Sequence, residues 1–433
     1  MAVCRRVRTE HQQQLESTEE GSTECDPAPA EAVIDRINEE ITYEEFFVKY
    51  LLANKPCVFA AHITKDWGCR KNWVSADDDD KPYWSFLKTT FGDAVVPIAH
   101  CDKEEFNSHP KSDKSMKDYL DYWMKYVESD YSNQLPCDYL KDWHCMRSFP
   151  DCDIYTTPIY FTSDWLNEYC NHLNIDDYRF VYMGPKGSWT PFHADVMRSY
   201  SWSANICGRK RWILYAPGQE DLLKNKLGQL PFDVTSDDLK DKSIYPNVDK
   251  VTSRYEIIQN SGEIIFVPSG WHHQVFNEED TISLNHNWFN GCNVETCWKY
   301  IKSCLKDVQN EIEDCRVTME ASEWVKQCQL ILKASSGVNY VDFFRYLLII
   351  LENRRGLVQN CVDLGQSELC LLHNEPQCAV YHWQFDLSKI QVILEDMLND
   401  EDFMNIDVTN FSVQPETVLK DLKSVLSLCM DDT

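Results

Sequence analysis

Between about residues 137 and 290 the sequence breaks into short stretches rich in β-branched and aromatic residues, and this segment most constrains the fold. Gly and Pro turns separate the stretches, which include CDYLKDWH, YRFVYMGPKGSW, RKRWILYAP and GEIIFVPSGW. Several short strands in series, cut by turn residues, are typical of a β-sandwich or a barrel. The segment therefore predicts a mainly β core, for which a jelly roll is one suitable architecture.

The flanking segments differ from the β core in composition and periodicity, and they predict three further regions. Residues 1–36 are rich in Glu, Gln, Ser and Pro, and we expect a disordered tail there. Residues 37–136 mix helical and strand patterns, with Thr42 as a helix N-cap, and predict an α/β extension. Helical periodicity dominates residues 303–433, which predicts a helical subdomain after a β core that spans residues 137–302.

Charge and apolar patterning exclude some classes of protein. The formal net charge is −28, which repels phosphate backbones, so we do not expect direct binding to nucleic acid. A basic protein partner would be favoured, although solubility alone explains the charge equally well. No apolar run approaches the roughly 20 residues of a membrane span, and no apolar segment follows the basic residues near the start. We therefore expect no membrane association, and a cytoplasmic location.

Three residues within the β core form a candidate metal site. His193 and Asp195 stand two apart in a strand-like stretch, so their side chains point to the same face. His273 closes a Trp-His-His step in a second stretch. Two histidines and one carboxylate are the ligand set of non-haem Fe(II) oxygenases, although an isolated strand histidine is more often a hydrogen-bonded core residue.

The surrounding motifs strengthen this interpretation. The steps HAD, GRKRW, FVPSGWHH and NHNW occur in this order and resemble the JmjC-domain oxygenases, which use Fe(II) and 2-oxoglutarate within a double-stranded β-helix. The resemblance runs from about Tyr139 to Asn290. It implies a cupin jelly-roll core, with Fe(II) and 2-oxoglutarate as cofactors and O2 as co-substrate.

The resemblance also assigns the ligands of the iron. It implies that His193, Asp195 and His273 are the catalytic metal ligands. Side-chain alternation allows only one of His272 and His273 to face inward, so His272 should point away from the metal.

The same resemblance assigns a binding site for 2-oxoglutarate. Lys210 in GRKRW matches the lysine that grips the distal carboxylate, which is a reasonable role for a cation among Trp, Ile and Leu. Ser203 stands near a position where some relatives have Asn, and the nearby Asn205 is an alternative to it. The residues that the resemblance places near the cosubstrate, besides the lysine, are Tyr139, Thr190, Asn287 and Ser203.

The activity that follows from the resemblance is a protein hydroxylase, and specifically lysyl carbon-4 hydroxylation of the eukaryotic translation termination (release) factor. One alternative is a JmjC N-methyl-lysine demethylase, although no cysteine/histidine reader module is visible. A second is a catalytically inactive cupin-fold scaffold, and a zinc hydrolase is less favoured because it has no use for an inward lysine. The sequence leaves open the oligomeric state and the role of the C-terminal helices.

Overall fold

The structure is a computed structural model that describes residues 34–76, 78–364, 379–409 and 411–431. The predicted tail over residues 1–36 therefore lies almost wholly outside the described residues. Within these ranges, no helix is both long enough and apolar enough to cross a membrane.

Strands dominate the central part of the chain, where successive residues alternate between the two faces of each strand. Their bounds are β1 Asp35–Ile37, β2 Cys57–Phe59, β3 Val74–Ser75, β4 Asp78–Pro82, β5 Val95–His100, β6 Lys111–Ser115, β7 Asp138–Trp143, β8 Arg179–Gly184, β9 Trp189–His193, β10 Tyr200–Cys207, β11 Lys210–Tyr215, β12 Arg254–Gln259, β13 Ile264–Val267, β14 His272–Asn277 and β15 Thr281–Trp288.

Helices flank the strands in the first third of the chain and fill the last third. Their bounds are α1 Tyr43–Phe46, α2 Gly68–Asn72, α3 Trp84–Phe91, α4 Met116–Glu128, α5 Cys145–Ser148, α6 Trp165–Leu173, α7 Val294–Glu311, α8 Ala321–Ser336, α9 Tyr340–Leu364, α10 Ala379–Asn399, α11 Glu401–Met404 and α12 Pro415–Asp431.

Two sheets form the β core. The larger has nine strands in the order β1-β2-β13-β10-β15-β8-β7-β5-β6, and the smaller has four in the order β12-β11-β14-β9. All ladders in the two sheets are antiparallel except that between β1 and β2. Strands distant in sequence are therefore neighbours, as in a jelly roll. This arrangement, with helices after it, confirms the predicted fold class.

The N-terminal extension is joined to the core through the larger sheet. The side chain of Thr42 accepts from the backbone N–H of Glu45, and the Glu45 carboxylate accepts from the backbone N–H of Thr42. This capping box starts α1, which continues as a π-helix over Phe47–Leu52. Strand β2 then pairs with β13 of the core. Because the sheet runs through both regions, the boundaries of the predicted domains stay a prediction.

The C-terminal helices enclose their own apolar core, which is built from α6 through α12 and includes Trp298, Phe343 and Leu394. A buried charge network crosses this core. Arg354 of α9 donates to the Asp386 carboxylate of α10 at 2.7 Å and to the Glu168 carboxylate of α6 at 2.9 and 3.1 Å. Burial raises the pKa of Asp386 to about 6, and Arg354 opposes this rise. The network therefore links α6, α9 and α10 to one another.

Replacing Arg354 with Met should lower the free energy of unfolding by about 3–5 kcal/mol, since it leaves a buried carboxylate without its counter-charge. Denaturant unfolding of the full chain measures this loss. Arg345→Met is a matched control, because the Arg345 side chain is 60% exposed. A loss no larger than that of the control, about 0–1 kcal/mol for an exposed pair, would contradict the assignment.

Candidate metal centre

The structure brings the three predicted metal-ligating side chains together. His193 at the end of β9 lies directly opposite His273 of β14, and their ring centroids are 4.4 Å apart. Asp195 follows two residues after β9, in the turn that leads to β10. One potential ligand atom from each of the three residues lies within 4.8 Å of the others. Such spacing suits a single metal ion.

The chemistry of the donors also fits iron. Nδ1 of His193 donates to the carbonyl of Pro191 at 2.8 Å, and Nδ1 of His273 donates to the carbonyl of Trp271 at 3.2 Å. Each ring therefore keeps the lone pair of Nε2 for a metal. Burial, and then the neighbouring His273, lower the pKa of His193 to about 3. Two imidazoles and one carboxylate match the donor set of a non-haem Fe(II) site.

Two strand residues hold the carboxylate of Asp195. Ser201 Oγ donates to Oδ2 at 2.7 Å, and Asn287 Nδ2 donates to Oδ1 at 2.8 Å. Ser201 and Asn287 lie opposite each other in the ladder between β10 and β15. The structure thus places Asn287, predicted near the cosubstrate, against the metal-ligating carboxylate. Ser201 was not predicted from the sequence, although it shares its face of β10 with Ser203.

Removing either support should weaken metal binding. We expect Asn287→Ala and Ser201→Ala each to lower the affinity for Mn(II) by about 10–100-fold, because the Asp195 carboxylate loses an orienting hydrogen bond. Titration of the metal-free protein measures the affinity. Asn285→Ala is the control, since among the described residues the Asn285 side chain donates to Ser283 Oγ, at 3.2 Å, and not to Asp195. Equal affinities for the Asn285 and Asn287 variants would argue against this role.

Lys210 of β11 is 2% exposed, and its side chain lies on the face of the smaller sheet that carries His273. Its Nζ donates to Asn277 Oδ1 at 2.8 Å and to the Tyr139 hydroxyl at 3.1 Å. No carboxylate of the described residues pairs with it, and burial lowers its pKa to about 7. Gly184 lets the Tyr139 ring approach, since a Cβ there would lie 2.4 Å from Cδ2 of the ring. A buried cation held by neutral partners is ready for an anionic ligand.

Asn277 is the second residue that the sequence analysis missed. It pairs with Lys210 between β11 and β14 and stands four residues after His273 on the same strand. Because alternate residues of a strand share a face, the spacing of four residues predicts that the His273 and Asn277 side chains lie on the same face of β14. Asn277 Nδ2 donates in turn to Ser188 Oγ at 2.8 Å, which fixes the orientation of the amide.

Two further residues predicted near the cosubstrate, Thr190 and Ser203, lie on β9 and β10. Thr190 of β9 is buried opposite Val275 and shares the face of β14 that carries His273. Ser203 Oγ is buried and has no hydrogen-bond partner among the described residues. Asn205 Nδ2, by contrast, donates to the carbonyl of Gly208 at 2.6 Å. Asn205 Oδ1 is buried and has no hydrogen-bond partner among the described residues, as is true of Ser203 Oγ, so both alternatives offer a free polar atom.

His272 points away from the metal centre, as alternation predicts. Its Nε2 accepts from Arg198 at 3.0 Å, and its ring packs against Phe192. The Arg198 guanidinium lies 4.8 Å from the ring centroid of Tyr300 in α7, and Met197 packs into the core of the C-terminal helices. The turn that follows Asp195 is therefore anchored to the helical region.

A jelly roll that encloses two histidines, a carboxylate and a buried lysine defines a cupin-fold metal-dependent oxygenase. Comparison with known proteins agrees: residues 43–293 match the family model described as "Cupin-like domain". The chain is 49% identical to "2-oxoglutarate and iron-dependent oxygenase JMJD4" of Gallus gallus over 92% of each chain, and 43% identical to that of Homo sapiens over 89% of each. It belongs to this family of JmjC oxygenases, and its cofactors are iron and 2-oxoglutarate.

A further relative carries a different name. The chain is 40% identical to "Arginine-specific demethylase JMJ20" of Arabidopsis thaliana, over 84% of this chain and 79% of that protein. The relatives therefore support an iron- and 2-oxoglutarate-dependent oxygenase, while their names differ in the reaction that they state.

Proposed function

We propose that His193, Asp195 and His273 hold the iron and that Lys210 holds the distal carboxylate of 2-oxoglutarate. The observation that carries this proposal is the cluster of three ligand atoms within 4.8 Å, together with a buried lysine on the sheet face of His273 that has no carboxylate partner among the described residues. The hydroxyls of three further residues complete the site for the dicarboxylate, with Asn287 acting through Asp195. These three residues are Tyr139, Thr190 and Ser203.

The protein contributes orientation and burial to the reaction. When bound, iron and 2-oxoglutarate supply the chemistry that couples decarboxylation of 2-oxoglutarate to hydroxylation of a C–H bond by O2. The carbonyls of Pro191 and Trp271 fix the two imidazole rings, and Ser201 and Asn287 fix the Asp195 carboxylate.

We further infer that the substrate is a lysine of the eukaryotic translation termination (release) factor, hydroxylated at carbon 4 in the cytoplasm. The sequence motifs shared with JmjC protein hydroxylases support this substrate. The net charge of −28 is compatible with a basic target. An intact ligand set and the buried lysine argue for turnover and against an inactive scaffold.

Mass spectrometry of the release factor tests this proposal. After incubation with the enzyme, Fe(II), 2-oxoglutarate and O2, we expect an unmodified lysine to gain the mass of one oxygen atom. The Asp195→Ala variant serves as the control and should leave the release factor unchanged. An unmodified release factor, under conditions in which the wild type converts 2-oxoglutarate with another protein, would refute this substrate.

The alternative activity is removal of an N-methyl group, which the name of the Arabidopsis thaliana relative favours. Hydroxylation of an N-methyl carbon gives a hemiaminal that releases formaldehyde, so the same metal site serves both reactions. Loss of a methyl group from a methylated lysine or arginine peptide, with formaldehyde formed in equal amount, would favour this activity over hydroxylation of a carbon chain.

A further inference from the structure

The turn that follows Asp195 has an uncommon backbone conformation. It runs over Val196–Arg198, and its φ angles are 52° at Met197 and 57° at Arg198. This left-handed region favours glycine, because a Cβ there crowds the neighbouring backbone. Two successive residues with side chains keep such a conformation only where the surrounding structure holds them. Contacts from outside the turn must therefore hold it in this form.

Of the three predicted metal ligands, Asp195 alone lies outside the strands. His193 and His273 pair directly between β9 and β14. Asp195 lies after the end of β9 and before the start of β10, and its carbonyl accepts from the backbone N–H of Arg198 at 3.1 Å. The conformation of the turn therefore sets where the Asp195 backbone lies.

The C-terminal helices hold the turn through the side chains of Met197 and Arg198. Met197 is 4% exposed and packs into the apolar core of these helices. The Arg198 guanidinium lies 4.8 Å from the centroid of the Tyr300 ring in α7, a distance at which the ring attracts a cation. Both residues with a left-handed backbone are thus linked to the helical region.

Arg198 also links the turn to the strand of a second metal ligand. Its guanidinium donates to Nε2 of His272 at 3.0 Å, and His272 directly precedes His273 in β14. The backbone carbonyl of Arg198 accepts from Ser269 Oγ at 2.5 Å, in the segment that leads into β14. This one residue therefore connects α7, β14 and the turn that follows Asp195.

We propose that Arg198 is a positioning residue for the metal centre, and that the docking of α7 on it holds Asp195 in its ligating position. The inference rests on the proposed iron site. Arg198 acts through the backbone of the turn, which would otherwise leave the left-handed conformation and carry Asp195 with it. The C-terminal helices thus complete the metal centre. Loosening their contact with the turn should weaken metal binding even in a folded chain.

Mn(II) binding to the full chain tests this role without turnover. We expect Arg198→Met to lower the affinity for Mn(II) by about 10-fold or more, because the turn loses its links to α7 and β14. Arg198→Lys should recover part of the affinity, since an ammonium group can still lie over the Tyr300 ring. Arg147→Met is the matched control. The Arg147 side chain of α5 is 37% exposed and donates to the carbonyls of Asn174 and Ile175.

Two buried methionines separate positioning of the turn from general loss of stability. Met197 and Met397 belong to the same apolar core and are 4% and 0% exposed, but Met197 lies in the turn and Met397 in α10. Both Met197→Ala and Met397→Ala should lower the melting temperature, because each leaves a cavity. Only Met197→Ala should also weaken Mn(II) binding, measured well below the melting temperature of either variant.

Equal affinities for Mn(II) in Arg198→Met and the Arg147 control would overturn the inference, and so would equal affinities in the two methionine variants. Asp195→Ala distinguishes such a failure from a failure of the iron site. If Asp195→Ala binds Mn(II) as tightly as the wild type, the proposed iron site itself is wrong. If it loses Mn(II) while Arg198→Met binds normally, only the role of Arg198 and α7 is wrong.

Discussion

Replacing Asp195 or His193 with Ala is expected to abolish the formation of succinate from 2-oxoglutarate. Loss of an orienting partner alone costs metal sites about 10–100-fold, so loss of a ligand should cost more than about 100-fold. The Asp195 change should be the more severe, because it removes the only negative charge of the three ligands. Succinate released per enzyme in the presence of Fe(II) and O2 measures the effect.

Metal binding provides an independent readout for the same variants. Each should bind Mn(II) far more weakly than the wild type, with the fold unchanged by circular dichroism. His144→Ala is a matched control, because His144 pairs with Asp177 at 3.1 Å but does not belong to the metal-ligating cluster. Succinate formation at the wild-type rate in either ligand variant would exclude this triad as the iron site.

Replacing Lys210 with Ala is expected to raise the 2-oxoglutarate concentration needed for half-maximal rate by about 10–100-fold. A hydrogen bond to a charged group contributes about 1.5–3 kcal/mol, and the lysine is 2% exposed, so water cannot replace it readily. Because the iron ligands are untouched, the affinity for Mn(II) should stay as in the wild type. Initial rates over a range of cosubstrate concentrations measure this shift.

Arg211→Ala is the control for the change at Lys210. Arg211 is the next residue of β11 and points to the opposite face, where its guanidinium lies 4.5 Å from the centroid of Phe276 and pairs with Glu256 at 3.3 Å. We expect its cosubstrate requirement to match that of the wild type. A Lys210 variant with an unchanged requirement would mean that the lysine serves another purpose.

Much of the candidate site could be predicted because strand alternation is a local property. The spacing of His193 and Asp195 placed both side chains on one face, and the adjacent pair His272 and His273 had to diverge. In the structure His272 and His273 do diverge, since both belong to β14. Asp195, however, lies in the turn after β9, so this turn and not strand alternation sets it beside His193. The motif around Lys210 supplied the position of a buried cation, although its role came from resemblance to a family.

The residues that support the site were harder to predict. Asn277 and Ser201 each share a face with a predicted residue of the same strand, so parity alone made them candidates. Parity also nominates residues whose side chains bind elsewhere, such as Asn205, whose Nδ2 donates to the carbonyl of Gly208. Which of these residues contact the site depends on the strand that pairs with theirs, and the local sequence pattern does not specify that strand.

Periodicity and turn residues act over a few positions, so the β-rich centre, the helical end of the chain and the faces of the strands can be predicted from the amino-acid sequence alone. The pairing of β14 with β9, which sets His273 opposite His193, is a property of the folded chain, and so is the contact between Tyr139 of one sheet and Lys210 of the other. Ladder pairing joins residues far apart in the chain, so a local pattern does not specify it. Packing and hydrogen bonding of whole sheets select which strands pair, and the metal-ligating side chains come together only when these strands have paired.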